Sequence, residues 1–196
     1  VVKALNARGL ASATQGQIET MTEYAKSFGA KGLAFIKVEG GEWKSPIVKF
    51  FSEAEKTALQ SKLKIEEGDC IFFGADKWEI ACEVLGRLRL RIAEIQKLIP
   101  KSEVWDFLWV TDFPLFQWSP EENKWNAMHH PFTRPKTADM PLFEAKKFPE
   151  IRAEAYDVVL NGVEIGGGSI RIHEPGLQEK MFETLGINPA DRQSLF

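Results

Sequence analysis

The sequence predicts an α+β fold in two units, and three features carry that prediction. Between residues 1 and 99, amphipathic segments with helix-capping residues alternate with short β-patterned runs. After Pro100 the pattern changes to aromatic-rich strand pairs joined by short turns, closed by one helix. Across 196 residues, 44% of them apolar, the chain can bury roughly 70% of its unfolded surface, which suits one large domain or two small ones.

In chain order, Thr14 is placed to cap a helix over about 15–28, with Ile18, Met21, Ala25 and Phe28 on one face and Gly29 to stop it. The run KGLAFIKV (31–38) reads as a strand, EGGEW as a turn, and PIVKFF (46–51) as a second strand. Ser52 and Glu55 form a capping-box signature for a helix reaching about Lys64. CIFFGA (70–75) is a third strand. Asp76 with Glu79 makes a further capping-box signature, and Trp78, Ile80, Ala81, Val84, Leu85, Leu88, Ile92 and Ile95 keep helical spacing until Pro100.

In the second half, VWDFLWVTDFPLFQWS (104–119) is strand-like, PEEN (120–123) is a turn, and KWNAMHHPF (124–132) returns as a strand, an antiparallel hairpin. A loop follows, and AYDVVLNGVEIGGGSIRI forms a second hairpin whose Asn161-Gly162 pair favours a two-residue type I′ turn. Gly176 to Leu185 is a last amphipathic helix. The junction between units falls near 99–103.

A formal charge of −3 supplies no global basic field for nucleic acid, so any RNA contact needs a local patch or parts beyond this chain. Arg87, Arg89, Arg91 and Lys97 read first as a solvated helix face. Cys70 and Cys82 make no disulfide framework, and no 18-residue apolar run can cross a membrane, so a reducing cytoplasm is expected. The chain begins at Val1 without a signal peptide, and its ends have the look of fragment ends.

The chemistry centres on NGVEIGGGSIRIHEP (161–175). Three consecutive glycines weaken a strand, and close approach of a ligand is one use that compensates. On a regular strand Glu164 and Arg171, an odd number of residues apart, face opposite ways; a bulge among the glycines would shift that parity. Arginine suits a bidentate carboxylate clamp, and a Glu beside bare backbone suits a metal–phosphate group, but both residue types also occur on strands as solvated or salt-bridged side chains. His129 and His130 would point to opposite faces of their strand. His129, His130 and His173 show no zinc spacing with the two cysteines, and neither a P-loop nor a nucleophile elbow is present.

The ordered set FLWVTDFPLF, MHHPFT, AYDVVLNGVEIGGGSIRIH and MFETLGI resembles the bacterial-type aspartyl-tRNA synthetases over 103–196, and KGLAFIKV, SPIVKFF and GDCIFFGAD resemble the GAD domain inserted into those enzymes. The resemblance implies a GAD domain at 1–99, a two-layer α/β sandwich with an antiparallel sheet. It further implies a partial class II catalytic domain at 103–196, an antiparallel sheet with flanking helices. It implies activation of L-aspartate with ATP and Mg²⁺ to aspartyl-adenylate, transfer to tRNA, and a cytoplasmic homodimer in the full enzyme. Carried over by position, Glu164 matches the ATP-binding glutamate, near Mg²⁺. Arg171 and His129 match aspartate-binding residues, with His130 the second choice. Gly166, Gly167 and Gly168 would form a backbone floor against the adenylate. Motif 1, the motif 2 strands, the motif 3 GLDR arginine and the OB-fold are missing, which implies an internal fragment, inactive alone. The alternative is a tRNA-recognition module of the kind found in a GAD-containing amidotransferase subunit; MHHPFT and GGGSIRIH favour the synthetase.

Overall fold

In the computed structural model, which describes residues 1–100, 103–188 and 190, the chain divides into two compact units, Val1–Lys101 and Ser102–Phe196. The junction expected at 99–103 takes in residues 101 and 102, which lie outside the described residues.

In the first unit, β1 (Val2–Ala7), β2 (Ala34–Glu39), β3 (Glu42–Lys44) and β4 (Cys70–Ala75) form an antiparallel sheet in the order β1-β4-β2-β3. Side chains alternate across a strand, and β4 divides accordingly. Cys70 and Phe72 pack with α1 (Gln15–Lys26) and α3 (Trp78–Ile95), whereas Ile71 and Phe73 pack with Leu59 and Leu63 of α2 (Glu53–Leu63). Helices therefore cover both faces, so the expected two-layer sandwich carries a third layer. Burial pushes the Cys70 thiol up to about 12, which leaves it an inert core residue.

Where the signal is local, sequence and structure agree. Thr14 and Ser52 each accept an N3 N–H while the N3 side chains of Gln17 and Glu55 return to the cap N–H. Elsewhere the chain departs from expectation. Gly40 and Gly41 both hold positive φ, so Glu42–Lys44 folds straight back on Lys37–Glu39; residues 48–50 of the expected strand form a single 3-10 turn instead. Asp76 does not cap α3. Lys77 holds that position without a side-chain bond, and Asp76 Oδ1 accepts the Lys77 N–H. The helix stops at Ile95, short of Pro100, where Lys97 turns left-handed (φ 55°) and the Leu98 N–H returns to the Ala93 carbonyl at 2.8 Å. Strand β1 has no counterpart among the expected elements, since most of its side chains are half-buried and alternate weakly.

The second unit contains β5 (Phe107–Thr111), the hairpin β6 (Phe116–Ser119) and β7 (Lys124–Ala127), the short α4 (Met140–Glu144), β8 (Ala155–Leu160), β9 (Val163–Ser169) and α5 (Pro175–Thr184). The main sheet runs β5-β8-β9, antiparallel throughout, and β6-β7 stands apart from it. The run 104–119 is thus two strands of different sheets. Asp112 takes a left-handed conformation (φ 61°), which Asp tolerates better than most residues, and Pro114 follows it. Strand β7 ends at Ala127, so His129 lies in a bend and His130 just after it, neither on a strand. Leu115, Phe116, Phe143, Ile151, Ala155 and Met181 form the unit's core.

Candidate functional site

The Asn161-Gly162 turn, with φ of 50° and 82°, joins β8 to β9 and pairs Leu160 with Val163. Val159 then pairs with Glu164, but Val158 pairs with Gly166, leaving Ile165 as the extra residue of a β-bulge. The consequence is chemical. Beyond the bulge Gly167, Ser169 and Arg171 share a face with Asp157 and Ala155 of β8, and the bulge restores Glu164 to that same face. All of these residues line one open cleft of about 240 Å³, together with His129 and His130. The opposite-face placement that a regular strand would give Glu164 and Arg171 therefore does not occur.

The glycines differ in what they do. A Cβ on Gly167 would lie 2.2 Å from Asp157 Oδ1 and 3.1 Å from the Tyr156 carbonyl oxygen. One on Gly168 would meet the Tyr156 hydroxyl at 2.9 Å. On Gly166 it would find only a Val158 methyl, at 3.6 Å, which is ordinary contact. Gly167 and Gly168 line the cleft; Gly166 does not, so the floor is two glycines long and not three.

Around this floor, Arg171 Nη1 donates to Ser169 Oγ at 2.9 Å, and the Arg171 backbone forms an isolated bridge with Thr133. The bend after β7 brings in both histidines. His129 packs edge-on to Phe113 with ring centroids 4.7 Å apart. The His130 Nδ1 accepts the Phe132 N–H at 3.2 Å, so a neutral His130 carries its proton on Nε2. Partial desolvation of its ring, and then the Arg171 charge, hold the His130 imidazolium below the ordinary histidine range.

Asp157 and Ser169 were not among the candidates drawn from the sequence. A signal for Asp157 existed: the Asn-Gly turn fixes the hairpin register and puts Asp157 within one residue of facing Gly166 and Gly167. Chemically, the cleft offers two carboxylates, Asp157 and Glu164, on one side of a bare backbone floor and a guanidinium on the other. Paired carboxylates suit a hard cation completed by phosphate oxygens, and a guanidinium suits a second, carboxylate-bearing group. Glu164, Arg171 and both histidines are exposed, so the cleft is open to solvent.

Residues 1–85 match the GAD domain family. The chain is 57% identical over 195 residues to an aspartate–tRNA(Asp/Asn) ligase of Opitutus terrae, a match covering 97% of this chain and 33% of that protein. It is 52% identical to the ligase of the same name from Methylacidiphilum infernorum and 48% identical to that of Desulfosudis oleivorans, in each case over 100% of this chain. The chain spans about a third of the length of the curated relatives it matches, 33% and 32% for the latter two.

Proposed function

We propose, on the premise that this chain belongs to the aspartate–tRNA ligase family, that its second unit forms one wall of the site where L-aspartate and ATP become aspartyl-adenylate. The observation that carries the reading is the bulge at Ile165, which brings Glu164 and Arg171 to one face on either side of the Gly167-Gly168 floor. Arg171 would grip the side-chain carboxylate of aspartate, a bidentate task for which a planar guanidinium is built. His129 would contact the same substrate. Glu164, with Asp157 beside the floor, would face the ATP phosphates and hold Mg²⁺, whose chemistry there is to neutralise charge on the phosphates. The two bare glycines let backbone approach the adenylate. No side-chain nucleophile is needed, since phosphoanhydride exchange depends on positioning and charge stabilisation. The acceptor would be tRNA, of the Asp/Asn scope that the relatives' names give for those proteins, and the full protein would act in the cytoplasm as a homodimer. The GAD-module alternative accounts for residues 1–85 but not for the cleft in the second unit.

Aspartate-dependent ATP–pyrophosphate exchange by the full-length protein containing this chain tests the assignment. Losing a desolvated bidentate contact costs about 2–5 kcal/mol, roughly 30- to 4,000-fold. Arg171→Lys is expected to raise the KM for aspartate at least to that lower bound while the KM for ATP moves less than about twofold. Glu164→Gln is expected to show the reverse bias. An aspartate KM within about twofold of the parent in Arg171→Lys rules the clamp out.

A further inference from the structure

We infer that Thr133 and Ser169 are positioning residues that aim the Arg171 guanidinium across the cleft, an inference that rests on the carboxylate-clamp reading above. A solvent-exposed arginine samples many rotamers, and fixing such a side chain costs conformational entropy unless something already holds it. Two contacts do so here. Ser169 Oγ, at the end of β9, accepts from Arg171 Nη1, two residues further along the chain, at 2.9 Å. The second contact is longer and backs the serine: Thr133 Oγ1 lies 3.4 Å from Ser169 Oγ, and Thr133 is only 1% exposed, so its hydroxyl has no solvent to turn to.

The backbone reinforces the arrangement. Thr133 bridges Arg171 directly, the Arg134 N–H donates to the Ile170 carbonyl at 2.9 Å, and the Ile172 N–H donates to the Phe132 carbonyl at 2.9 Å. The segment 132–134 therefore runs beside residues 170–172 as an extra strand-like edge, and the buried threonine hydroxyl arrives beside the serine as a result. With one Nη1 hydrogen engaged by Ser169, the Nε–Nη2 edge of the guanidinium keeps its donors for a carboxylate. The pair thus sets which edge of the guanidinium is presented, and neither residue needs to touch the substrate itself.

The test uses exchange kinetics on the full-length protein with Ser169→Ala, Ser169→Thr, Thr133→Val, Thr133→Ser, Arg171→Lys and the double variant Ser169→Ala/Arg171→Lys. A hydrogen bond to a charged group is worth a factor of about ten or more, so Ser169→Ala is expected to raise the aspartate KM about 10-fold or more with the ATP KM within twofold. Ser169→Thr and Thr133→Ser, which keep the hydroxyls, are expected to stay within about threefold of the parent, and Thr133→Val to fall between. Because Ser169 acts through Arg171, adding Ser169→Ala to Arg171→Lys should cost little more than Arg171→Lys alone. An aspartate KM within twofold in Ser169→Ala, or multiplicative losses in the double variant, overturns the positioning role. Should Ser169→Ala fold poorly, the Thr133→Val and Thr133→Ser pair decides by the same criterion. If Arg171→Lys leaves the aspartate KM unchanged, it is the clamp itself that fails, a result separable from loss of the positioning role alone.

Discussion

Asp139 is the most constrained ionisable residue of the second unit among those described. It is 4% exposed, and Arg152 reaches both its oxygens, Nε to Oδ2 at 2.9 Å and Nη2 to Oδ1 at 2.8 Å, while the Arg152 N–H adds a third bond at 2.9 Å. The guanidinium hydrogen bonds, outweighing the effect of burial, hold the carboxyl at about 2 against an ordinary value of 3.8. A folded-state value below the unfolded one means the contribution is complete above about pH 4 and is lost as pH falls toward 2. In magnitude it is about 2 kcal/mol. Asp139→Asn sets an amide NH₂ against the same donors, so at pH 7 the urea midpoint of this chain should drop by an amount matching about 2–3 kcal/mol. The gap should narrow as both proteins are taken from pH 5 to pH 3. Equal midpoints at pH 7 would show that Arg152 finds an equivalent partner in Asp112, which lies 3.4 Å from its Nη1.

Among elements, the bulged hairpin decides which side chains share the cleft, and it yields a test of parity. One residue inserted between Val158 and Val159 would give Ile165 a partner and regularise the ladder, turning Glu164 away from the cleft while Arg171 stays in place. Deleting Ile165 also regularises the ladder but leaves Val159 opposite Glu164, and so keeps the carboxylate on its face. In the full-length protein the insertion should therefore raise the ATP KM more than about tenfold, and the deletion distinctly less. If the two variants behave alike, the bulge has no bearing on the cleft. The sequence showed half of this. It located the Asn161-Gly162 turn, the glycine run and the two charged residues, because turn chemistry and residue type are local. A bulge results from competition between two strands' packing, so Ile165 carried no mark of being the extra residue. The same division holds elsewhere. The Thr14 and Ser52 caps are local reciprocal bonds and were legible, whereas the break of 104–119 at Asp112 depends on Lys136 and Arg152, more than twenty residues away, and was not. The basic run is partly paired by local helix contacts: Arg87 pairs with Glu83 and lies over Phe28, and Arg91 pairs with Glu94 and lies over Tyr24.

At the scale of the whole molecule, the apolar clusters sort by unit. Two are built from residues of the first unit, around Phe72 and around Ile71, and one from residues of the second, around Phe116 and Met181. A unit with its own apolar core can fold without the other. The chain leaves α3 through Lys97 in a left-handed conformation, and Leu98 and Ile99 are 65% and 51% exposed. Backbone of that kind is where proteases enter, because cleavage there disturbs no buried contact. Limited trypsin digestion is therefore expected to cut first between Lys97 and Asp106. The released fragment of about 100 residues should keep its far-ultraviolet ellipticity and unfold in a single cooperative urea transition, since the β1–β4 sheet and its three helices lie entirely within it. Mass spectrometry of the earliest products locates the cut. A first cleavage within 78–95 would mean that α3 opens more readily than the chain beyond it, and a fragment that unfolds without cooperativity would mean that the first unit borrows its stability from the second.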